Sequence, residues 1–303
     1  MGRTSIVPPM AIRWDWLQPV ITVPYAPALG PVHPAAVTPS LITDIIGIAG
    51  TGRFLPHDKD RRWSDRKDEQ VITSAIAQEP GLVMIPTLST RRVPVVKVHL
   101  YSRDPRAVLS QATDLGRRLC NEHGAERGRV SWFLPPGSAP DPVAACTRIQ
   151  MRTFGPGQPA TVTVTGVMPL AEVLAPVRPT FSTFADKMAA EGFAFLDARI
   201  RDHGSTGPVL TCQRDGRIVG AIGPMEILPD SQGTARLLPQ YFGVLPEYRG
   251  LGLGRNLWHD AMLWGQQHQA AYQLLQTVVG GASAALCRSE GLTDLGLVCT
   301  STL

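Results

Sequence analysis

The chain has 303 residues, 44% hydrophobic and 18% charged, with a formal net charge of +4. That is enough for two ordinary domains with real cores, and the composition excludes a disordered polymer. No apolar run reaches the ~20 residues a bilayer span requires, and the start lacks the apolar core of a secretory leader, so neither membrane nor export is expected.

In chain order, the first forty residues hold eight prolines and read as an extended arm. A helical pattern covers Pro39–Ile48. The polar stretch "RFLPHDKDRRWSDRKDEQ" leads into an expected helix near residues 66–78. Two strand-like runs follow, "GLVMIPTL" and "VPVVKVHLYS". The next helix has Asp104 as candidate N-cap and Pro105 in its first turn. A strand, "RVSWFLPP", precedes a short helix expected from Asp141, and "FGPGQP" reads as a break. A boundary there gives domains at 1–158 and 159–303.

The second half begins with an expected strand, "ATVTVTGVM", and helical pattern over residues 170–191 interrupted by Pro176 and Pro179. A hairpin over residues 208–227 turns at Asp215-Gly216. A strand at "ARLLPQYFGVL", a glycine-rich turn, a helix to about Gln267, a strand, a short helix and a last strand complete the chain. Strand, helix, strand and short helix thus occur twice, over residues 93–152 and 237–291, which suggests a diverged duplication in an α/β fold with a mixed sheet.

Five scattered cysteines (Cys120, Cys146, Cys212, Cys287, Cys299) form no CxxC pair and suit free thiols in a reducing cytoplasm. The seven histidines show no ligand spacing, so no metal is expected. Residues 1–158 hold 19 Lys and Arg against 13 Asp and Glu, whereas residues 159–303 hold 10 against 12. The basic excess gathers in pairs (Arg61-Arg62, Arg66-Lys67, Arg91-Arg92, Arg117-Arg118), either a solvated surface or a face for a polyanion.

The most informative stretch is "YFGVLPEYRGLGLGRNLWHDAM". A helix N-terminus leaves backbone N–H groups without partners, which suits phosphate, and glycine lets the chain approach closely. The nucleotide loop GxxxxGK[ST] is absent, and no acidic residue stands in register for a dinucleotide fold. The pattern Arg249-x-x-Gly252-x-Gly254 resembles the acyl-CoA pyrophosphate loop of the GNAT superfamily of N-acyltransferases, whose signature is Q/R-x-x-G-x-G/A. The order of elements from about residue 160 to 303 matches as well.

The resemblance implies two GNAT-like domains, the N-terminal one degenerate because its matching turn, "YSRDPRAV", has no glycines. It implies an acyl-CoA donor, most simply acetyl-CoA, with the amides of Arg249, Gly250, Leu251, Gly252, Leu253, Gly254 and Arg255 around its pyrophosphate. Val244 and Leu245 would offer backbone groups to pantetheine. It implies direct attack by a primary amine, a small-molecule acceptor. The family's tyrosine acid falls on Cys287, which is either a weak acid or a buried apolar residue. Glu226 and Tyr241 are further acid–base candidates, and Gln276 a candidate for orienting the acceptor. His259 is expected on the solvent face of its helix, and Trp258, Trp264 and Tyr272 in the core. The asparagine often found before the short helix is replaced by Gly280. The last strand leaves the family's sheet one strand short, to be completed by the N-terminal arm or the other half.

One alternative keeps the fold and changes the donor. A basic N-terminal half would suit charged tRNA, with an aminoacyl group passed to a small amine. A CoA-sensing module without catalysis is a third reading. A tandem chain is compatible with a monomer or a homodimer.

Overall fold

The computed structural model describes residues 12–91, 93–155 and 166–303. The expected boundary at 158/159, Arg92 and most of the strand expected over residues 160–168 lie outside the described residues.

The strands are β1 (Tyr25–Ala26), β2 (Gly30–Pro31), β3 (Glu69–Val71), β4 (Ala77–Glu79), β5 (Leu82–Ser89), β6 (Val95–Ser102), β7 (Arg127–Leu134), β8 (Ala145–Thr153), β9 (Val167–Pro169), β10 (Leu210–Arg214), β11 (Arg217–Gly223), β12 (Ile227–Pro229), β13 (Ala235–Leu237), β14 (Tyr241–Val244), β15 (Tyr272–Val278) and β16 (Thr293–Thr302). The helices are α1 (Trp14–Leu17), α2 (Pro39–Gly47), α3 (Leu109–His123), α4 (Thr180–Lys187), α5 (Phe193–His203), α6 (Leu253–Gln267) and α7 (Ala282–Ser289). Among the described residues no helix is long and apolar enough to cross a membrane, and no three His, Cys, Asp or Glu side chains converge as a metal site requires.

The chain forms two compact units that do not follow chain order. One holds residues up to 151, 230–233 and 274–303; the other holds 152–229 and 234–273.

In the first unit β6 and β7 pair in parallel, joined by α3, with β5 antiparallel beside β6. Val96, Val98, Leu100, Val130 and Trp132 face Ala112, Leu115 and Leu119 of α3 in one buried cluster. β16 runs antiparallel between β7 and β8, and β8 also neighbours β15. β16 thus pairs on both sides with strands from the first half of the chain.

Four expectations fail here. The helix near 66–78 is instead β3, a 3-10 turn and β4: Glu69–Val71 pair with Thr87–Ser89, and Ala77–Glu79 with Leu82–Met84. The helix after β6 starts at Leu109, because the Asp104 side chain closes a local turn by accepting from Ala107 N–H at 3.3 Å. The short helix from Asp141 is strand β8, so the internal repeat breaks at that element. Cys146 and Cys299 stand opposite each other on β8 and β16 and form a disulfide, leaving Cys120, Cys212 and Cys287 free.

In the second unit an antiparallel sheet runs β14-β11-β10-β9. The hairpin β10–β11 turns as expected at Asp215 and Gly216, both at positive φ (50° and 70°), which suits Asp-Gly. Phe181, Phe184, Phe193 and Leu196 from α4 and α5, with Leu257 and Trp258 from α6, are buried against it. The helical pattern expected over 170–191 resolves into turns and α4, and α5 extends it to His203.

The first unit also buries His99, whose Nε2 lies 3.4 Å from Thr87 Oγ1; Thr87 donates to Glu69 at 2.9 Å. Burial pushes the imidazole down to about 4, despite Glu69 nearby. The unfolded chain takes up that proton near pH 6.5 and the folded chain only near 4, so acid favours unfolding. Denaturant titrations should lose up to roughly 3 kcal/mol of stability between pH 7 and 4, less in His99→Gln. A thiol assay on the denatured, unreduced chain should find the three free cysteines, and reduction should remove roughly 2–5 kcal/mol.

Candidate active site

The site begins where a strand breaks. β13 pairs in parallel with the start of β15, ending at Leu237↔Gln273. Pro239 follows, and proline has no N–H to continue a ladder. β14 then pairs with β11, from Gly223↔Tyr241 to Gly220↔Val244. Gln240 ties the point of departure: its Nε2 donates to the Leu238 carbonyl, and its Oε1 accepts from Gln273 Nε2 at 2.7 Å.

Leu245 N–H donates to Val219 O at 2.9 Å. Antiparallel alternation then turns Tyr241, Gly243 and Leu245 toward β11 and leaves the backbone groups of Phe242 and Val244 on the outer edge, β14 being terminal in its sheet. This corrects one expectation: Val244 faces the edge, whereas Leu245 is consumed by the ladder.

The turn after β14 is held by polar links from three of its residues. Tyr248 accepts from Arg217 at 2.7 Å and donates to Asp215 at 3.0 Å. Glu247 receives Lys187 at 3.4 Å. Arg249 Nε donates back to Val244 O at 3.0 Å, and its Nη2 lies 3.8 Å from Glu191.

Gly250 and Gly252 then take positive φ (82° and 80°), and a Cβ at either would meet nothing within 4 Å. Gly252 caps α6 without a side-chain acceptor. Asn256 is the first residue to donate back into the helix, to Gly252 O at 3.1 Å, so the amides of Leu253 and Gly254 have no acceptor one turn earlier. The result is a run of first-turn backbone N–H groups at the positive end of α6 beside open space, with Leu251 62% exposed between the two glycines. It suits an anion.

The acid–base candidates are placed as follows. Tyr241 is half-buried, its ring over Gly192 and within 6.2 and 6.4 Å of Phe193 and Phe195. Glu226 is half-buried three residues beyond Gly223, the register partner of Tyr241, so β11 and β14 bring both to the same end of the sheet. The Glu226 carbonyl accepts from Leu238 N–H at 2.9 Å, tying it to the strand break. Cys287 belongs to the first unit, where it is 2% exposed on α7 and burial pushes its thiol up to about 11.

His259 is half-buried on α6, not fully in solvent. The buried stripe is Leu253, Leu257, Trp258, Ala261, Met262 and Gly265, while Trp264 stacks on His268 at 3.9 Å instead of joining the core. Gln276 is exposed and donates to Thr147. Sequence reasoning missed Tyr248, Gln240 and Gln273; the proline inside a strand pattern was the one signal that pointed to the last two. Among the described basic pairs, Arg66, Lys67 and Arg91 line one cavity together with Asp60, Asp68 and Glu69. Arg117 and Arg118 face Asp114 and Glu122, Arg91 approaches Asp68 at 3.9 Å, and Arg61 donates to Pro56 O.

Residues 173–287, including the strand break, the nest and Cys287, match the acetyltransferase (GNAT) family model. The match spans 115 of the chain's 303 residues, and over them the chain is similar to that family. No curated protein matches the chain by sequence. Among solved structures, it is similar to a tandem GNAT protein from the clavulanic acid biosynthesis pathway (15% identity, 95% of this chain and 92% of that one, TM-score 0.49). It is also similar to a GCN5-related N-acetyltransferase from Sphaerobacter thermophilus (15%, 73% and 76%, 0.47). A third similar structure is the Saccharomyces cerevisiae N-myristoyltransferase with bound myristoyl-CoA and inhibitors (12%, 75% and 65%, 0.38).

If the polar links preorganise the turn, Tyr248→Phe should weaken acetyl-CoA binding by about 2- to 10-fold in calorimetry, within the worth of the two hydrogen bonds its hydroxyl makes, with the midpoint of unfolding little changed.

Proposed function

We propose that the protein is an N-acyltransferase that moves an acyl group, most simply acetyl, from acyl-CoA to a primary amine. The observation that carries this reading is the open nest ahead of α6, where Gly250 and Gly252 clear the space and no side chain caps the helix. A diphosphate would accept from the first-turn amides. Pantetheine would lie along β14 as an added strand, meeting the edge groups of Phe242 and Val244.

The amine nitrogen attacks the thioester carbonyl carbon, the C–S bond breaks, and the thiolate takes up a proton. No covalent enzyme intermediate is needed. Glu226 is assigned as the base that accepts the proton from the attacking ammonium, directly or through water. Tyr241, at the same sheet end, is assigned to return a proton to the leaving sulfur. Cys287 is assigned to packing, because a thiol so deeply buried loses little by remaining protonated and gains nothing by exchange. Rate comes mainly from positioning and from backbone N–H groups facing the developing oxyanion. The alternative of tRNA as donor rests on the basic residues of the first half of the chain, of which Arg117 and Arg118 on α3 have carboxylate neighbours.

Acetyl-CoA should bind in calorimetry, and Gly252→Glu should weaken it by at least ~100-fold, since the new side chain enters a left-handed position and brings negative charge to the nest. Absence of binding to the unmodified protein would remove the reading. Against a panel of primary amines, Glu226→Gln should cost roughly 10²–10⁴ in kcat/KM. Cys287→Ala should stay within about threefold, and a larger loss would return Cys287 to the catalytic set.

A further inference from the structure

Within the proposed donor site one side chain stands where the donor must go. Val244 O points to the outer edge of β14, as an acceptor for the amide N–H of an added strand. It is already occupied by Arg249 Nε at 3.0 Å. The Arg249 side chain is otherwise weakly held. It is 54% exposed, and its other contact is Glu191 at 3.8 Å, beyond hydrogen-bond length. The next residue is Gly250, where the open nest begins.

We propose that Arg249 is an anion-released latch on the edge of β14. With the nest empty, its guanidinium caps Val244 O and keeps a short edge strand from offering a bare acceptor. A diphosphate arriving at Gly250–Gly254 draws the guanidinium to its oxygens, since a charge-assisted fork is stronger than a bond to a neutral carbonyl. Val244 O then becomes free for the pantetheine amide. One side chain thereby couples the two ends of the donor, and the chain favours an intact acyl-CoA over a bare pantetheine thioester. The inference rests on the acyl-CoA reading above.

The test uses fragments of the donor on the full chain, by NMR titration. Pantetheine is titrated with and without saturating inorganic pyrophosphate. In the unmodified protein pyrophosphate should tighten pantetheine by about 2- to 10-fold, the net worth of one hydrogen bond. In Arg249→Ala, pantetheine alone should bind more tightly than to the unmodified protein by a similar factor. Pyrophosphate should bind more weakly to that variant, and the mutual effect should vanish. A strut that only shaped the loop gives the opposite sign: pantetheine weakens in Arg249→Ala, and the latch is overturned. Because the alanine variant also loses a link in the loop, Glu191→Gln serves as the second arm. It keeps the bond to Val244 but removes the opposing carboxylate, and it should tighten pyrophosphate while retaining the coupling; loss of the coupling there also counts against the latch. CoA binding without coupling between its fragments sinks the latch alone, whereas no CoA binding at all sinks the donor site with it.

Discussion

The donor side of the site depends on a strand that loses its neighbour. Leu237 is the last residue of β13 to pair with β15, and Pro239 prevents the ladder from continuing. β14 is left with β11 on one side and an open edge on the other. Open edges invite unwanted pairing, and proteins keep them short or covered. Here the exposed strand is four residues long, Arg249 covers one of its carbonyls, and Gln240 and Gln273 tie the point of departure. A row of main-chain groups is thus preserved for an extended ligand without becoming a general template.

The same economy governs the helix that follows. α2 begins with Thr38, whose hydroxyl accepts from Leu41 N–H at 3.2 Å, the usual way to satisfy a first-turn donor. α6 begins with Gly252 and no such acceptor, forgoing a few tenths of a kcal/mol of capping. The turn before it is nonetheless firm, because Tyr248 and Glu247 tie it to Arg217, Asp215 and Lys187. A rigid turn with an uncapped helix is a preorganised anion site, since little order remains to be imposed when the anion arrives.

The strand, open glycine turn and helix α6 were legible because their cause is local: glycines, a helix stripe and a preceding strand all lie within 25 residues. The hairpin at Asp215-Gly216 was legible for the same reason. The misses share a different cause. β8 has no strand signal stronger than its helix signal, and it becomes a strand because β16, some 150 residues later, pairs with it. Val71 and Ile76 likewise become extended through β5, not through their own periodicity. The Cys146–Cys299 pair was invisible to spacing rules, since only the register of two distant strands brings the sulfurs together. Which side of β14 lies open also had to wait for register, which separates Leu245, whose N–H donates to Val219 O, from Val244.

The two strand–turn–helix units show why only one of them reads as a donor site. After β6 the turn satisfies its own donors: Ser102 Oγ accepts from Asp104 N–H at 3.2 Å, and Asp104 accepts from Ala107 N–H at 3.3 Å. Asp141 adds a second carboxylate, 3.2 Å from Arg106. A turn that carries its own carboxylates has no donors left for a phosphate and repels its charge. After β14 the corresponding residues are glycines and leucines, and the nearby carboxylates Glu247 and Glu191 each face a cation, Lys187 and Arg249. What the N-terminal half retains instead is structural. β7 and β8 flank β16 on either side, and without them the last strand of the chain would have no partners. The turn after β6 meets its own donors, and the strands around it serve the sheet of the first unit.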